Sequence, residues 1–332
     1  LSSFSHLNVR GGTMTKLVNA DGGIDFGIFG TTVDSVNYLD YHLERPMGGT
    51  VSRLMKRLLF KQFNFIGILG PDITVGLAVV DMRYLTSGFF YIHERANSHL
   101  TETKSIAPFF TGRIAADPSK IDAAYAFGGL DIRIQHNTVT ARGKDMDLRV
   151  ELELTQANPL RICTRAGYRG WAYTEKTTPV AVRGKIQCKG KTWDISSPES
   201  MALIDWSAGF MRRKTCWNWA ASAATLPDGR SFGLNCASGV NETGFTENAF
   251  WLDHTLVKAD TVNFVFDSRD LMRPWTVRSF DGKIDLEFHP DGQRGERTNA
   301  VFAATRFTQL TGFYQGTVTT SSGETVSIPH VP

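Results

Sequence analysis

Apolar and polar residues alternate with a period of two along much of the chain. Met146, Leu148, Val150, Leu152 and Leu154 interleave with Asp145, Asp147, Arg149, Glu151 and Glu153. That is the pattern of a strand with one face in a core and the other in water. Leu130, Ile132 and Ile134 repeat it, as do Val262, Phe264 and Phe266, and Ile284, Leu286 and Phe288. Turn signals stand between these runs: Arg142-Gly143-Lys144, Pro227-Asp228-Gly229, Asp281-Gly282, Asp291-Gly292 and Ser322-Gly323. Asp-Gly pairs supply the positive φ of tight hairpins. The longest apolar stretch, residues 65–80, is interrupted by Gly70-Pro71-Asp72. Inside a bilayer that break would strand backbone polar groups, so it predicts strand, turn and strand, with no stable membrane span. Helical periodicity is sparse and clearest over residues 50–62. There Val51, Leu54, Met55, Leu58 and Leu59 share one face and Arg53, Lys56 and Arg57 the other. This predicts a helix covering a barrel end, with contact to a membrane surface as the alternative.

Two segments echo one another in order. Lys61-Gln62-Phe63-Asn64-Phe65 is followed by Pro71-Asp72 and Gly76-Leu77. Lys214-Thr215-Cys216-Trp217-Asn218-Trp219 is followed by Pro227-Asp228 and Gly233-Leu234. Further on, Gly143-Lys144-Asp145-Met146-Asp147-Leu148 is echoed by Gly282-Lys283-Ile284-Asp285-Leu286. Two echoes in the same order imply an internal duplication. Each half, 1–168 and 169–332, has the size that closes an up-and-down barrel of roughly eight to ten strands able to hold one small ligand. The fold class expected is therefore mainly β: two tandem lipocalin-like antiparallel barrels with a few short helices.

Composition narrows the functions. With 42% apolar and 21% charged residues in 332, the chain is globular. Its net charge of +3 is not gathered into a Lys/Arg stripe, which argues against a nucleic-acid partner. Cys163, Cys188, Cys216 and Cys236 form no CxxC pair, so neither a zinc ribbon nor a disulfide framework is expected. Scattered thiols fit a reducing, cytoplasmic compartment, where the sequon Asn241-Glu242-Thr243 would be only a polar turn. Residues 184–192 resemble a phosphate loop but are one residue too long and sit on a predicted hairpin. There is no Gly-x-Ser-x-Gly elbow, and the eight histidines stand singly. No metal and no cofactor is expected, and oligomeric state is left open.

The second half carries a distinctive run of segments. Phe245-Thr246-Glu247-Asn248-Ala249-Phe250-Trp251 is followed by Arg273-Pro274-Trp275, residues 279–288, and Gly312-Phe313-Tyr314-Gln315-Gly316. In that order they resemble the bacterial family known as domain of unknown function 2804. The resemblance extends over nearly the whole chain, most specifically in 205–288. That family is similar in turn to the double-calycin group, with carotenoid 1,2-hydratases, AttH-like proteins and certain fungal cyclases. The resemblance implies two lipocalin-like barrels side by side. It transfers no activity, because fold does not fix function.

The candidate chemistry rests on isolated polar groups among aromatics. Asp205 and Glu247 lie in apolar segments, where burial raises a carboxyl pKa and makes a proton donor near neutrality. The alternative for Asp205 is a buried ion pair with Arg212 or Arg213. Trp217 and Trp219 share one strand face and Asn218 the other, and the tryptophans are expected to point into the barrel. Arg213, Asn248, Trp251, Trp275 and Asn64 complete the candidate binding set. The expected function is binding of a small lipophilic or amphipathic molecule in a barrel or in the inter-barrel cleft. An acid-catalysed hydratase, isomerase or cyclase acting on an alkene is the alternative, by analogy with carotenoid hydratases. A carbohydrate-active protein with paired carboxylates and Trp stacking is the second.

Overall fold

The computed structural model describes residues 15–109, 111–212, 216–240, 244–300 and 303–332, without the side chains of 296–300 and 303–305. Strand takes 61% of the chain and helix 5%, which settles the class as mainly β. The predicted alternation is realised as meanders. After a short β1 (Gly27–Ile28), the first runs β2 (Lys61–Leu69), β3 (Ile73–Asp81), β4 (Leu85–Glu94) and β5 (His99–Pro108). The second runs β6 (Gly112–Ile114), β7 (Ala123–Phe127), β8 (Leu130–Gln135), β9 (Thr138–Gly143) and β10 (Met146–Glu153). A short β11 (Leu160–Ala166) leads to a long hairpin, β12 (Gly170–Cys188) and β13 (Lys191–Gly209). All thirteen form one antiparallel sheet, and β13 pairs back onto β2. The sheet curls around a single core that includes Ile66, Leu77, Ile132, Val150, Trp171 and Trp206.

The second unit repeats this plan in shorter form. β14 (Asn218–Thr225), β15 (Ser231–Ser238), β16 (Ala249–Leu252) and β17 (Thr255–Lys258) make a four-stranded sheet. β18 (Val262–Val265), β19 (Trp275–Ser279), β20 (Ile284–Ala300), β21 (Ala303–Thr319) and β22 (Thr325–Val331) make a five-stranded one. Between them lies a second core with Phe232, Leu234, Phe250, Leu286 and Ile328. Asn64 and Asn218 each lie in the strand that opens a meander; Gly143-Lys144 lies at the turn from β9 into β10, and Gly282-Lys283 at the turn into β20, the first strand of a long hairpin. The expected division at 168/169 coincides with neither core. Residues 170–209 hydrogen-bond into the first sheet, and the cores part between Phe210 and Ala220.

The helix differs from expectation. α1 (Arg53–Leu59), capped by Ser52 accepting from the Met55 amide, buries only Lys56, whose Nζ donates to the Leu39 carbonyl at 3.1 Å and the Tyr41 carbonyl at 2.5 Å. Satisfying two loop carbonyls with one ammonium wins over burying leucine, so Leu54, Met55 and Leu59 face outward.

The two units press together through the aromatic-Asn-aromatic strands. Asn64 points into the first barrel, while Phe63 and Phe65 point out of it, towards the second. The Phe65 and Trp219 rings meet edge to face at 5.7 Å. The expectation that the tryptophans fill the second barrel is therefore corrected. Ala220 and Ala224 take the inward positions, so Trp219 is directed to the other unit. Close approach at this seam requires Gly233: a Cβ there would lie 2.7 Å from the Pro179 nitrogen and the Thr178 carbonyl carbon. Gly233→Ala is expected to cost about 1–3 kcal/mol by overpacking, read from chemical denaturation of the variant against wild type.

Candidate functional site

The seam holds a cluster of three buried charges. On β12, Glu175 lies among first-barrel side chains beside Tyr173, so its neighbour Lys176 is turned to the opposite face. Asp205 stands directly across the ladder on β13, between Ile204 and Trp206, which face the first core. From the second unit, Glu247 enters on the segment before β16. Lys176 Nζ lies 2.6 Å from Asp205 Oδ2 and 3.5 Å from Glu247 Oε2, and all three residues are buried. The two candidate acids, distant in sequence, thus share one ammonium.

Further bonds fix the geometry. Ser207 Oγ donates to Asp205 Oδ1 at 3.0 Å and contacts Thr174 Oγ1 at 2.7 Å. Asn235 Nδ2 donates to the Glu247 carbonyl at 2.8 Å, and Asn235 Oδ1 accepts from Trp219 Nε1 at 2.9 Å. Lys258 Nζ donates to the carbonyls on either side, Thr246 and Asn248, at 2.6 Å each. Lys176 Nζ lies 5.8 Å from the centre of the Trp219 ring. The face of that indole therefore looks onto positive charge.

Electrostatics give the members different roles. Burial pushes the Glu247 carboxyl above its ordinary range, against the pull of the Lys176 ammonium, and the Asp205 carboxylate pushes it the same way as burial. For Lys176, burial favours the neutral amine, but the Asp205 and Glu247 carboxylates outweigh it and hold the ammonium above its usual value. Burial lowers Lys258 to about 8, although Glu247 works against it. A carboxyl with a raised folded pKa is protonated in the native state where the unfolded chain has lost its proton. Its contribution therefore weakens as pH rises out of the ordinary carboxyl range. The stability of wild type relative to Glu247→Gln is expected to fall as pH rises out of the ordinary carboxyl range, measured by urea titrations at a series of pH values. A flat difference would mean that Glu247 is ionised throughout.

A small cleft adjoins the segment that carries Glu247. It measures about 120 Å³ and is lined by Ala237, Gly239, Thr246, Glu247, Asn248 and Val262. Asn248 holds the cleft wall by accepting from the Ala237 amide at 2.7 Å and donating to the Asp260 carbonyl at 3.0 Å. Trp217, half-exposed, precedes Asn218, which opens β14 next to the cleft strand β15.

The remaining candidates lie elsewhere. Asn64 is buried in the first barrel and donates to the Ile121 carbonyl at 2.7 Å. Trp251 is buried against the first unit, its Nε1 donating to the Asn158 carbonyl at 2.7 Å. Trp275 stacks on Phe266 at 3.9 Å and packs beside the second core. Arg213 and the sequon at 241–243 lie outside the described residues. Asp205 pairs with Lys176, where Arg212 or Arg213 was expected, because cross-strand register places Lys176 directly opposite. Lys176, Asn235 and Lys258 were not among the sequence candidates. Their one local signal is a charged or amide side chain within an otherwise apolar or Thr-rich strand run.

A second buried polar cluster joins the units away from this site. Arg294, on β20, pairs with Glu102 on β5, donates to Gln309 Oε1 at 2.8 Å, and stacks over Phe89 and Tyr91. Nearby, Arg95 pairs with Asp291 and donates to Thr74 Oγ1 at 2.8 Å. Among the described residues no group of three metal-ligating side chains gathers.

Two curled antiparallel units thus meet at a seam that holds a carboxyl pair. A structure of an AttH-like protein from Nitrosomonas europaea matches with TM-score 0.50 and 14% identity, covering 82% of this chain and 90% of that one. Kievitone hydratase from Nectria haematococca matches with TM-score 0.51 and 9% identity, covering 80% and 86%. At these identities the likeness shows a shared fold. No curated protein sequence matches. The family model described as Domain of unknown function (DUF2804) matches residues 13–332, and the chain belongs to that family.

Proposed function

We propose that the protein binds a small amphipathic, largely apolar molecule at the seam between its barrels and protonates it from the Glu247 carboxyl, in a hydratase- or isomerase-like reaction at a carbon–carbon double bond. One observation carries this reading: carboxyls from two different units converge on one buried ammonium, beside a cleft that the Glu247 segment helps to line. Burial raises the Glu247 carboxyl above its ordinary range, the direction a general acid requires. When the proton passes to one alkene carbon, the adjacent carbon becomes a cation and Glu247 becomes a carboxylate. The Lys176 ammonium at 3.5 Å stabilises that carboxylate, and the Trp219 ring face can shield the cation. Water then bonds to the cation and returns a proton to Glu247, or loss of a neighbouring proton gives the isomer. Kievitone hydratase, named for such an activity, shares the fold, which supports the reaction class. The carbohydrate reading loses support because Lys176 fills the gap between the carboxyls where a glycosidic oxygen would sit.

The test uses full-length protein and Glu247→Gln with farnesol and oleate in heavy-oxygen water and in deuterium oxide. Wild type is expected to add labelled water or exchange an alkene proton. Glu247→Gln is expected to retain the probe while turnover drops by about 10²–10⁴-fold. Equal product from both proteins, or none from wild type with either probe, would refute the proposal.

A further inference from the structure

The helix that turned inside out leaves an unusual surface. Over residues 44–59 only Val51 and Lys56 are buried and only Leu58 is intermediate. Met47, at the tip of a turn closed by the Arg45 amide on the Gly49 carbonyl, is 98% exposed, and Leu54 is 66% exposed. On a helix of 3.6 residues per turn with Lys56 facing inward, Leu54 points away from the protein, with exposed Met55 and Leu59 to one side of it and Arg57 to the other. Arg53 and Arg57 make no ion pair among the described residues, and residues 45–71 contain no Asp or Glu. An apolar ridge that carries two arginines and no carboxylate on its own helix calls for a partner that is apolar beneath and negative at its surface.

We propose that α1 and the Met47 turn dock the protein on an anionic lipid surface. Leu54, Met55, Leu59 and Met47 would enter the boundary between headgroups and acyl chains, and Arg53 and Arg57 would meet the lipid phosphates. Charge decides against a second copy of this chain. A two-fold contact would set the arginines of one helix against those of the other, with no acidic residue on the helix to offset them. The surface does not depend on the chemistry assigned to Glu247, because none of its residues belongs to the buried cluster.

The experiment is cosedimentation of the full chain with phosphatidylcholine vesicles, with and without phosphatidylglycerol as about a third of the lipid. Binding is expected only with the anionic lipid and is expected to weaken at least tenfold as salt shortens the Debye length from about 10 Å towards 3 Å. Leu54→Ser with Met55→Ser should weaken it about tenfold or more, and so should Arg53→Gln with Arg57→Gln. These side chains are at the surface, so circular dichroism and melting should be unchanged. No sedimentation with anionic vesicles, or equal sedimentation with neutral ones, would overturn the proposal. Two other outcomes would do the same. One is a wild-type dimer in sedimentation equilibrium that Leu54→Ser dissociates; the other is vesicle binding only after removal of residues 1–14, which would assign the surface to that segment.

Discussion

Lys176→Met is expected to lower the unfolding free energy by about 3–5 kcal/mol near neutral pH, the cost of leaving buried charge without its partner. The ammonium is the sole cation within 4 Å of Asp205 and Glu247 among the described residues, and both carboxyls are buried. Without it the two carboxyls face one another across a buried seam, and one must take up a proton for the fold to persist. The loss should therefore shrink on acidification, when both carboxyls protonate. Urea denaturation at two pH values, one near 7 and one near the ordinary carboxyl range, checks both magnitude and trend. Lys176→Met combined with Asp205→Leu and Glu247→Leu removes the charges together and is expected to return close to wild-type stability. Turnover should stay absent in that triple variant. A single-variant loss below about 1 kcal/mol would place the cluster in the class of solvated pairs.

Arg294→Met is expected to cost about 3 kcal/mol and to act locally. The guanidinium is almost fully buried, paired to Glu102, bonded to Gln309 and layered on the rings of Phe89, Tyr91 and Phe307. Methionine keeps part of the ring contact but leaves the Glu102 carboxylate with only Lys104 at 3.8 Å. The β20–β21 arm lies on β4 and β5 through this cluster, so its amides should exchange faster while those of β2 and β13 remain protected. Hydrogen exchange followed by mass spectrometry reads the difference. Uniform loss of protection across both cores would show that the cluster does not act as a local clasp.

Much of the fold was legible because strand burial is written locally. Met146 to Leu154 alternates in sequence and alternates in the structure, since a strand turns its side chains by half a revolution at each residue. The break at Gly70-Pro71-Asp72 became the turn between β2 and β3 for an equally local reason. The helix was located by its period, but its orientation was not legible. Which face is buried depended on the Leu39 and Tyr41 carbonyls, which lie in another segment.

The candidate site divided in the same way. Asp205 and Glu247 were recognisable as carboxyls in apolar surroundings, and the echoing segments around Asn64 and Asn218 each open a meander. Nothing local could show that Lys176 stands between the acids, that Trp219 turns outward to meet Phe65, or that the first sheet runs on to Gly209. Sequence by itself determined the alternation, the turns, the repeat and the identity of the acids, because each depends on residues within one or two turns of chain. Only the tertiary structure decided what the acids face, because cross-strand register and the packing of one unit on the other join residues that covalent order keeps apart.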